Sequence, residues 1–295
     1  YEARKYGIHS AMPISKAWEL CPNAIFLPVN IELYQEVSEK IMEIVKKYSK
    51  KWEIVSLDEA YLDISFCKGW ERARKIGEKL KKEIFEKERL TCTVGIGQNK
   101  TIAKLATEKA KPNGLKIVKP EDVEKFLDPL DVDDLPGIGP KTAEKLRKIG
   151  INKIFELKRL SKESLREMFG KVGEKIFERA RGIDEEPVSS KEIIKSIGRQ
   201  ITFERDTRNP RFIFGNFEKI LKEVYQELIE KNFSFKTITV VCRFSGFETH
   251  TKSKTLKEKT QDFKILKSEA KKILLKFLLE NKKPIRLIGL RLKIC

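Results

Sequence analysis

Apolar and polar residues recur with two different periods along residues 31–118, one typical of helices and one typical of strands. Between Ile31 and Lys51 the apolar residues recur at helical spacing, which predicts a helix. Trp52–Leu57 and Tyr61–Ser65 are short β-type runs and predict a hairpin. The further predictions are a helix over Glu71–Lys87, a strand over Leu90–Ile96, a helix over Asn99–Ala110 and a strand over Leu115–Val118. Helices packed on an antiparallel sheet give an α+β fold class.

Residues 119–186 have a helical pattern throughout, interrupted by glycine turns. The glycines are Gly137, Gly139, Gly150, Gly170 and Gly173. Short helices separated in this way predict a small helical domain. The helical pattern ends at Pro187 and polar residues follow, so we expect a linker there.

The chain from Ile197 onward has a pattern of its own. Apolar and polar residues alternate over Ile197–Arg205, which predicts a half-buried strand. The elements predicted after it are a helix over Phe212–Lys231, strands over Lys236–Phe247 and Thr249–Lys257, a helix over Phe263–Leu279 and a strand over Ile285–Ile294. This order is the split β-α-β pattern.

The chain is strongly basic, with a formal net charge of +18. Residues 191–295 contribute +13 of this, from 25 lysines and arginines against 12 acidic residues. Such a block predicts contact with a phosphate backbone, and its candidate DNA-binding residues are Arg199, Arg205, Lys252 and Lys254. An anionic membrane is the other polyanion, but no apolar run reaches membrane-spanning length. A solvated lysine-rich surface is the remaining alternative.

Cysteine usage indicates the compartment. The five cysteines are scattered without a C-x-x-C pair, which favours reduced thiols in a cytoplasmic protein over zinc ligands or disulfides. The opening residues Tyr1–Lys5 have no apolar stretch behind them, so we expect no signal peptide. The length of 295 residues predicts about two to four small domains.

The adjacent carboxylates Asp58 and Glu59 lie between the two hairpin strands. Like charges repel, and divalent cations would offset that repulsion. Mg²⁺ is held by one or two carboxylates together with substrate phosphates, and a pair of ions can serve both the attacking and the leaving oxygen. An ordinary polar turn is the alternative.

Two further motifs could hold phosphate. Lys111, in Ala110–Gly114 between a helix and a strand, could reach a phosphate as a point charge. Gly137, Gly139 and Lys141 belong to a glycine turn that opens a helix, where free backbone amides favour phosphate. The glycine turn matches a helix-hairpin-helix, which binds nucleic-acid backbone. A generic turn is the alternative at each motif.

Five motifs occur in the order and spacing of Y-family, lesion-bypass DNA polymerases. They are Tyr1-Glu2-Ala3-Arg4, the run from Ser56 to Asp63, Thr93-Val94-Gly95-Ile96, Ala110-Lys111-Pro112-Asn113-Gly114 and Leu135-Pro136-Gly137-Ile138-Gly139. The chain resembles the archaeal-like DNA polymerase IV branch over its whole length. The resemblance implies a multidomain right-hand polymerase with partial fingers over 1–30, a partial palm over 31–118, a helix-hairpin-helix thumb over 119–186, a linker over 187–196 and a little finger over 197–295.

The same resemblance implies roles for individual residues. Asp58 and Glu59 would bind two Mg²⁺ ions, with Mn²⁺ as a substitute, and Tyr1, Arg4 and Lys111 would contact the incoming deoxynucleoside triphosphate. Primer–template DNA would be the partner, with a sliding clamp as a candidate and no membrane.

The sequence departs from the family at its start. Family members have a first strand that carries an aspartate bridging both metals, and this chain begins after it. We therefore expect a gap or open edge in the palm sheet and impaired extension.

Three functions compete at this point: translesion DNA synthesis by nucleotidyl transfer, a non-catalytic DNA-binding remnant of such a polymerase, and a helix-hairpin-helix nuclease or glycosylase. The Asp58-Glu59 hairpin and the terminal split β-α-β pattern argue against the third function.

Overall fold

The computed structural model describes residues 1–190 and 194–294 and divides into two units, Tyr1–Lys191 and Glu192–Cys295. The first unit contains α1 (Ile14–Leu20), α2 (Ile31–Lys46), β1 (Trp52–Ile54), β2 (Ala60–Leu62), α3 (Trp70–Glu88), β3 (Val94–Ile96), α4 (Lys100–Ala110), β4 (Leu115–Ile117), α5 (Val123–Leu127), α6 (Pro140–Lys148), α7 (Ile154–Leu157), α8 (Lys162–Phe169) and α9 (Lys171–Ala180). Short 3-10 helices lie at Ala3–Tyr6, Pro120–Asp122 and Val132–Asp134. The second unit contains β5 (Ser196–Thr207), α10 (Pro210–Glu230), β6 (Phe235–Phe244), β7 (Thr249–Thr260), α11 (Phe263–Glu280) and β8 (Ile285–Ile294).

The strands of the first unit form two separate pairs. β1 lies antiparallel to β2, and β3 lies parallel to β4. We expected one antiparallel sheet; the second pair is parallel because α4 connects its strands as a crossover. No backbone ladder joins the two pairs within the described part of the chain.

Two hydrophobic cores stabilise the first unit. α2 and α3 share one core around Met42, Leu80 and Ile84. The other core runs without a break from α4 into the helical region, where Ile102 and Leu146 are both fully buried. Helix α4 is therefore part of the same packed core as α5 to α9.

Residues 1–30 contribute little to either core. Ala17 is the only buried residue among them, and all thirty are described. Trp18, Ile25 and Leu27 are 56%, 88% and 80% exposed. This segment presents an apolar surface instead of burying one.

A four-stranded sheet in the order β5-β8-β6-β7 forms the second unit, with helices α10 and α11 packed on one face. Every neighbouring pair is antiparallel, so β5 and β6 run parallel with β8 between them. This is the predicted split β-α-β order. Its core is built from large side chains such as Phe217, Phe235 and Phe244.

Candidate active site and nucleic-acid interface

Asp58 and Glu59 lie in the turn between β1 and β2. The amides of Val55 and Ser56 both donate to the Glu59 carbonyl, at 2.9 and 3.3 Å. The turn therefore closes directly after Ile54, and β1 is shorter than predicted. Ser56 Oγ donates to Asp58 Oδ1 at 2.7 Å. The Asp58 side chain is exposed and Glu59 is partly exposed, so the turn holds two accessible carboxylates.

Two lysines of α4 pair with the carboxylates of this hairpin. Lys104 Nζ forms an ion pair with Glu59, and Lys100 Nζ lies 3.2 and 3.1 Å from the two Glu53 oxygens. Lys100 and Lys104 are one turn apart and share a helix face. The Asn99 side chain caps the helix just before Lys100. These pairs bind the hairpin to α4 and offset its negative charge.

Tyr61 shows that the surroundings of the hairpin are electronegative. Burial, followed by the nearby carboxylates of Glu59, Glu53 and Asp184, raises the pKa of Tyr61 to about 12. Lys100 Nζ lies 5.7 Å from the Tyr61 ring centroid. Lys100 is thus a cation that faces these carboxylates on this side of the hairpin.

Of the predicted nucleotide-binding residues, Lys111 lies within electrostatic reach of one member of the carboxylate pair, Glu59. The Arg4 guanidinium lies 4.9 Å from the Tyr1 ring centroid, and Lys111 Nζ lies 2.7 Å from Glu108 Oε1. Glu108 is the main cause of the raised pKa of Lys111, and Tyr1 and Glu59 add smaller Coulombic contributions. Lys111 thus lies within electrostatic reach of both Tyr1 and Glu59.

Lys81, which the sequence analysis did not single out, anchors the loop that carries Lys111. Its ammonium group donates to Asn113 Oδ1 at 2.7 Å, to the Asn113 carbonyl at 3.0 Å and to the Cys92 carbonyl. Asn113 has a left-handed backbone with φ 51°. The Lys81 side chain, on α3, therefore stabilises a tight turn directly after Lys111.

The glycine turn before α6 has the geometry expected of a helix-hairpin-helix. Gly137 has φ +99°, and a Cβ added there would lie 3.3 Å from Arg179 Nη1. Gly139 has extended backbone with φ −88° and ψ 175°, which other residues also adopt. Lys141 is exposed at the start of the helix. Glycine is thus required by the backbone at Gly137 and not at Gly139.

Three of the predicted DNA-binding residues of the second unit lie on the helix-covered face of the sheet. Arg199 pairs with Glu227 of α10 at 2.7 Å. Lys252 forms an ion pair with Glu280 of α11, and Lys252 and Lys254 stand opposite buried residues of β6. Their contact with DNA stays a prediction, and this placement does not favour it.

The opposite face of the sheet carries other basic residues that the sequence analysis missed. Register places Arg243 and Lys293 there, and Arg291 stands opposite Gly198. A Cβ at Gly198 would lie 3.1 Å from the Arg291 Cβ, so the glycine keeps this face flat beside the arginine. Arg205 is exposed near the end of β5, within a register shift.

Within residues 1–190 and 194–294, no three histidine, cysteine or carboxylate side chains gather as a ready metal site. The hairpin supplies the adjacent pair Asp58 and Glu59, and their hard oxygen atoms suit Mg²⁺. No described helix is long and apolar enough to cross a membrane.

Comparison with known proteins gives three family matches. The model of the impB/mucB/samB family matches residues 1–108, the model of its C-terminal domain matches 194–293, and a DNA polymerase-iota thumb-domain model matches 133–184. DNA polymerase IV 2 of Methanosarcina mazei is 43% identical over 290 residues, covering 98% of this chain and 78% of the relative. DNA polymerase IV of Saccharolobus solfataricus is 40% identical over 293 residues, covering 99% and 82%.

Solved structures give the same result. A Y-family DNA polymerase chimera of Dbh and Dpo4 superposes with a TM-score of 0.88 at 34% identity, over 99% of this chain and 85% of its own. An insertion ternary complex of Dbh DNA polymerase matches with a TM-score of 0.66 at 34% identity, over 100% and 85%.

Proposed function

The chain belongs to the Y family of DNA polymerases, and we propose roles for its site residues in that reaction. It is a DNA-directed DNA polymerase of the DNA polymerase IV branch, which synthesises DNA across damaged templates. The predicted right-hand fold is confirmed. The alternative of a non-catalytic remnant is not supported, because the relatives that match nearly all of this chain are named as polymerases.

Asp58 and Glu59 are the proposed metal ligands. Polymerases of this family use divalent metal ions, and the two adjacent carboxylates fit hard cations that complete their coordination with substrate phosphates. A bound Mg²⁺ pair would activate the primer 3′-hydroxyl and neutralise charge that develops on the triphosphate. The turn keeps Asp58 oriented through Ser56, and Lys104 keeps Glu59 on the side of the hairpin that faces α4.

Tyr1, Arg4 and Lys111 are proposed to hold the triphosphate of the incoming nucleotide. Lys111 is supported by its positive charge and its electrostatic proximity to Glu59 and Tyr1, and Arg4 by its positive charge and its contact with the Tyr1 ring. Lys111 would exchange its ion pair with Glu108 for a charge-assisted hydrogen bond to a phosphate oxygen.

Primer–template DNA is proposed to contact two surfaces. Gly137, Gly139 and Lys141 would place backbone amides and one ammonium group at a phosphate. The flat face of the second unit, with Arg243, Arg291 and Lys293, would follow a second stretch of backbone. A sliding-clamp contact, the cytoplasmic location and the domain boundaries given by the resemblance stay predictions.

One observation carries the assignment: an accessible carboxylate pair held in a hairpin turn, with Glu59 within electrostatic reach of Lys111, in a chain of this family. The test is primer extension by the full-length protein with Mg²⁺ and deoxynucleoside triphosphates. Asp58→Ala should abolish extension and leave DNA affinity intact. Asp63→Asn is the matched control, since Asp63 lies on the same hairpin but pairs with Lys51 at 3.5 Å. Equal extension by both variants would remove Asp58 from the reaction.

A further inference from the structure

Arg179 of α9 connects the helix-hairpin-helix turn to the segment that follows the helical region. Its Nη1 donates to the Pro136 carbonyl at 3.1 Å, directly beside Gly137. Its Nε lies 3.6 Å from Asp184 Oδ2. The Arg179 side chain is 17% exposed and that of Asp184 only 7%. One guanidinium group is therefore nearly enclosed between the turn and a buried carboxylate.

Asp184 continues this connection to α4. Thr101 Oγ1 donates to Asp184 Oδ2 at 2.6 Å, and Thr101 is 2% exposed in the first turn of α4. Beside it, the Gly182 carbonyl accepts from Gln98 Nε2 at 3.0 Å and Asn99 Nδ2 at 2.8 Å. Polar contacts thus lead without interruption from the glycine turn to the start of α4.

Helix α4 also supplies the lysines that pair with the β1–β2 hairpin (residues 52–62), which we call the catalytic hairpin because it holds the proposed metal ligands. Lys100 and Lys104 pair with Glu53 and Glu59, and Lys111 follows directly after the helix. A shift of the glycine turn relative to the start of α4 would therefore be a shift relative to the carboxylate pair.

We propose that Arg179 is a positioning residue, which sets the distance between the phosphate-binding turn and the catalytic hairpin through Asp184 and Thr101. This inference rests on the proposed function of both sites. Correct spacing would place the primer end at Asp58 and Glu59 whenever the turn holds its phosphate. A planar guanidinium group can donate to the Pro136 carbonyl and at the same time pair with Asp184 in a fixed direction, whereas a lysine ammonium group has no such fork.

The test compares Arg179→Met and Arg179→Lys with Arg181→Met in the full-length polymerase. Arg181 is the matched control, because its guanidinium group stacks 3.5 Å from the Phe177 ring and donates to the Lys158 carbonyl, all within the helical region. Thermal unfolding, DNA affinity and the burst amplitude of single-nucleotide incorporation are measured well below the unfolding temperature. The burst amplitude reports the fraction of bound DNA whose primer end is correctly placed.

Arg179→Met should lower the productive fraction or the burst rate by about 10- to 100-fold, the scale of a small misplacement of reactants, with unchanged affinity for the incoming nucleotide. Arg179→Lys should restore little of the lost productive fraction or burst rate. Arg181→Met should lower the unfolding temperature while keeping the wild-type burst.

A second arm uses Thr101→Val, which removes the hydroxyl group and keeps the shape. Combined with Arg179→Met, it should add no further loss, because both changes break one connection. A wild-type burst in Arg179→Met, or additive losses in the double variant, would overturn the proposal. Such results would leave the polymerase assignment intact, since that assignment depends on Asp58→Ala.

Discussion

The second unit and the β1–β2 hairpin that carries Asp58 and Glu59 are stabilised by different forces. The second unit encloses one large apolar core, in which Phe217, Phe235 and Phe244 are nearly or fully inaccessible. The hairpin has three-residue strands and is held to α4 by the ion pairs of Glu53 and Glu59.

This difference in stabilisation matches the two proposed tasks, which are DNA contact by the second unit and metal binding by the hairpin. Apolar burial is non-directional and indifferent to the charges on the opposite face of the sheet, so the second unit can carry a dense basic surface without loss of its fold. Ion pairs respond to every added charge. The hairpin can therefore respond to metal ions and phosphates, at the cost of a weaker attachment.

The largest expected effect comes from opening the apolar core. Phe217→Ala should destabilise the second unit by about 3–5 kcal/mol, because it removes a fully buried ring and leaves a cavity. All three tryptophans (Trp18, Trp52 and Trp70) lie in the first unit, so their fluorescence reports that unit alone, while circular dichroism reports both.

In a urea titration, circular dichroism should therefore show an early transition that tryptophan fluorescence lacks. Phe247→Ala, at a ring that is 66% exposed, is the control and should change stability by about 0.5 kcal/mol or less. Simultaneous early transitions in both signals would contradict the separation of the units.

A second prediction concerns alkaline pH. Burial raises the pKa of the Cys242 thiol from 9.0 to about 12. A raised folded-state pKa means that the folded chain retains the proton longer, so this stabilisation is complete below about pH 9 and is lost as pH rises toward 12. It amounts to at most about 4 kcal/mol.

Unfolding free energies of wild type and Cys242→Ala should therefore converge between pH 9 and 12. The variant starts lower because it loses packing, and it lacks the thiol whose ionisation destabilises the wild type. Parallel curves over this range would show that the Cys242 thiol does not titrate with unfolding.

The third prediction compares the two faces of the sheet. Arg291→Ala should weaken DNA binding and reduce the slope of log affinity against log salt by about 0.9, the value for one phosphate contact. Lys252→Ala should change the slope less, because Lys252 is already paired with Glu280 and lies 5.3 Å from the Phe277 ring centroid. Binding is measured by fluorescence anisotropy across a salt series. A larger change in slope for Lys252→Ala than for Arg291→Ala would instead indicate that the helix-covered face contacts DNA.

The pattern of apolar and polar residues predicted most of the fold but a smaller part of the candidate site. The elements of the second unit begin and end within a few residues of their predicted limits, since each of them except β7 buries one face. β7 is polar on both faces, so only its pairing with β6 reveals where Lys252 and Lys254 point. Arg179 and Lys81 were missed because each has a decisive partner far away in the chain: the Pro136 carbonyl is 43 residues from Arg179, and Asn113 is 32 residues from Lys81.

The smallest expected effect tests whether the nucleotide site is positioned from α3. Lys81→Met removes the ammonium group that holds Asn113 and the Cys92 carbonyl, and so frees the loop that presents Lys111. The dissociation constant for the incoming nucleotide should rise by about 10-fold, the value of one charge-assisted hydrogen bond.

Single-turnover incorporation over a nucleotide series separates this constant from the maximal rate. The maximal rate and DNA affinity should stay near wild type, because Lys81 contacts neither the carboxylate pair nor the glycine turn. Lys82→Met is the control: Lys82 is 76% exposed and lies 3.6 Å from Glu86 on the same helix. A loss confined to the maximal rate would mean that Lys81 acts on the reacting groups. An equal rise of the dissociation constant in both variants would reflect surface charge alone. A rise in Lys81→Met only would show that part of the nucleotide site, like the hairpin, is positioned by polar contacts of a lysine instead of an apolar core.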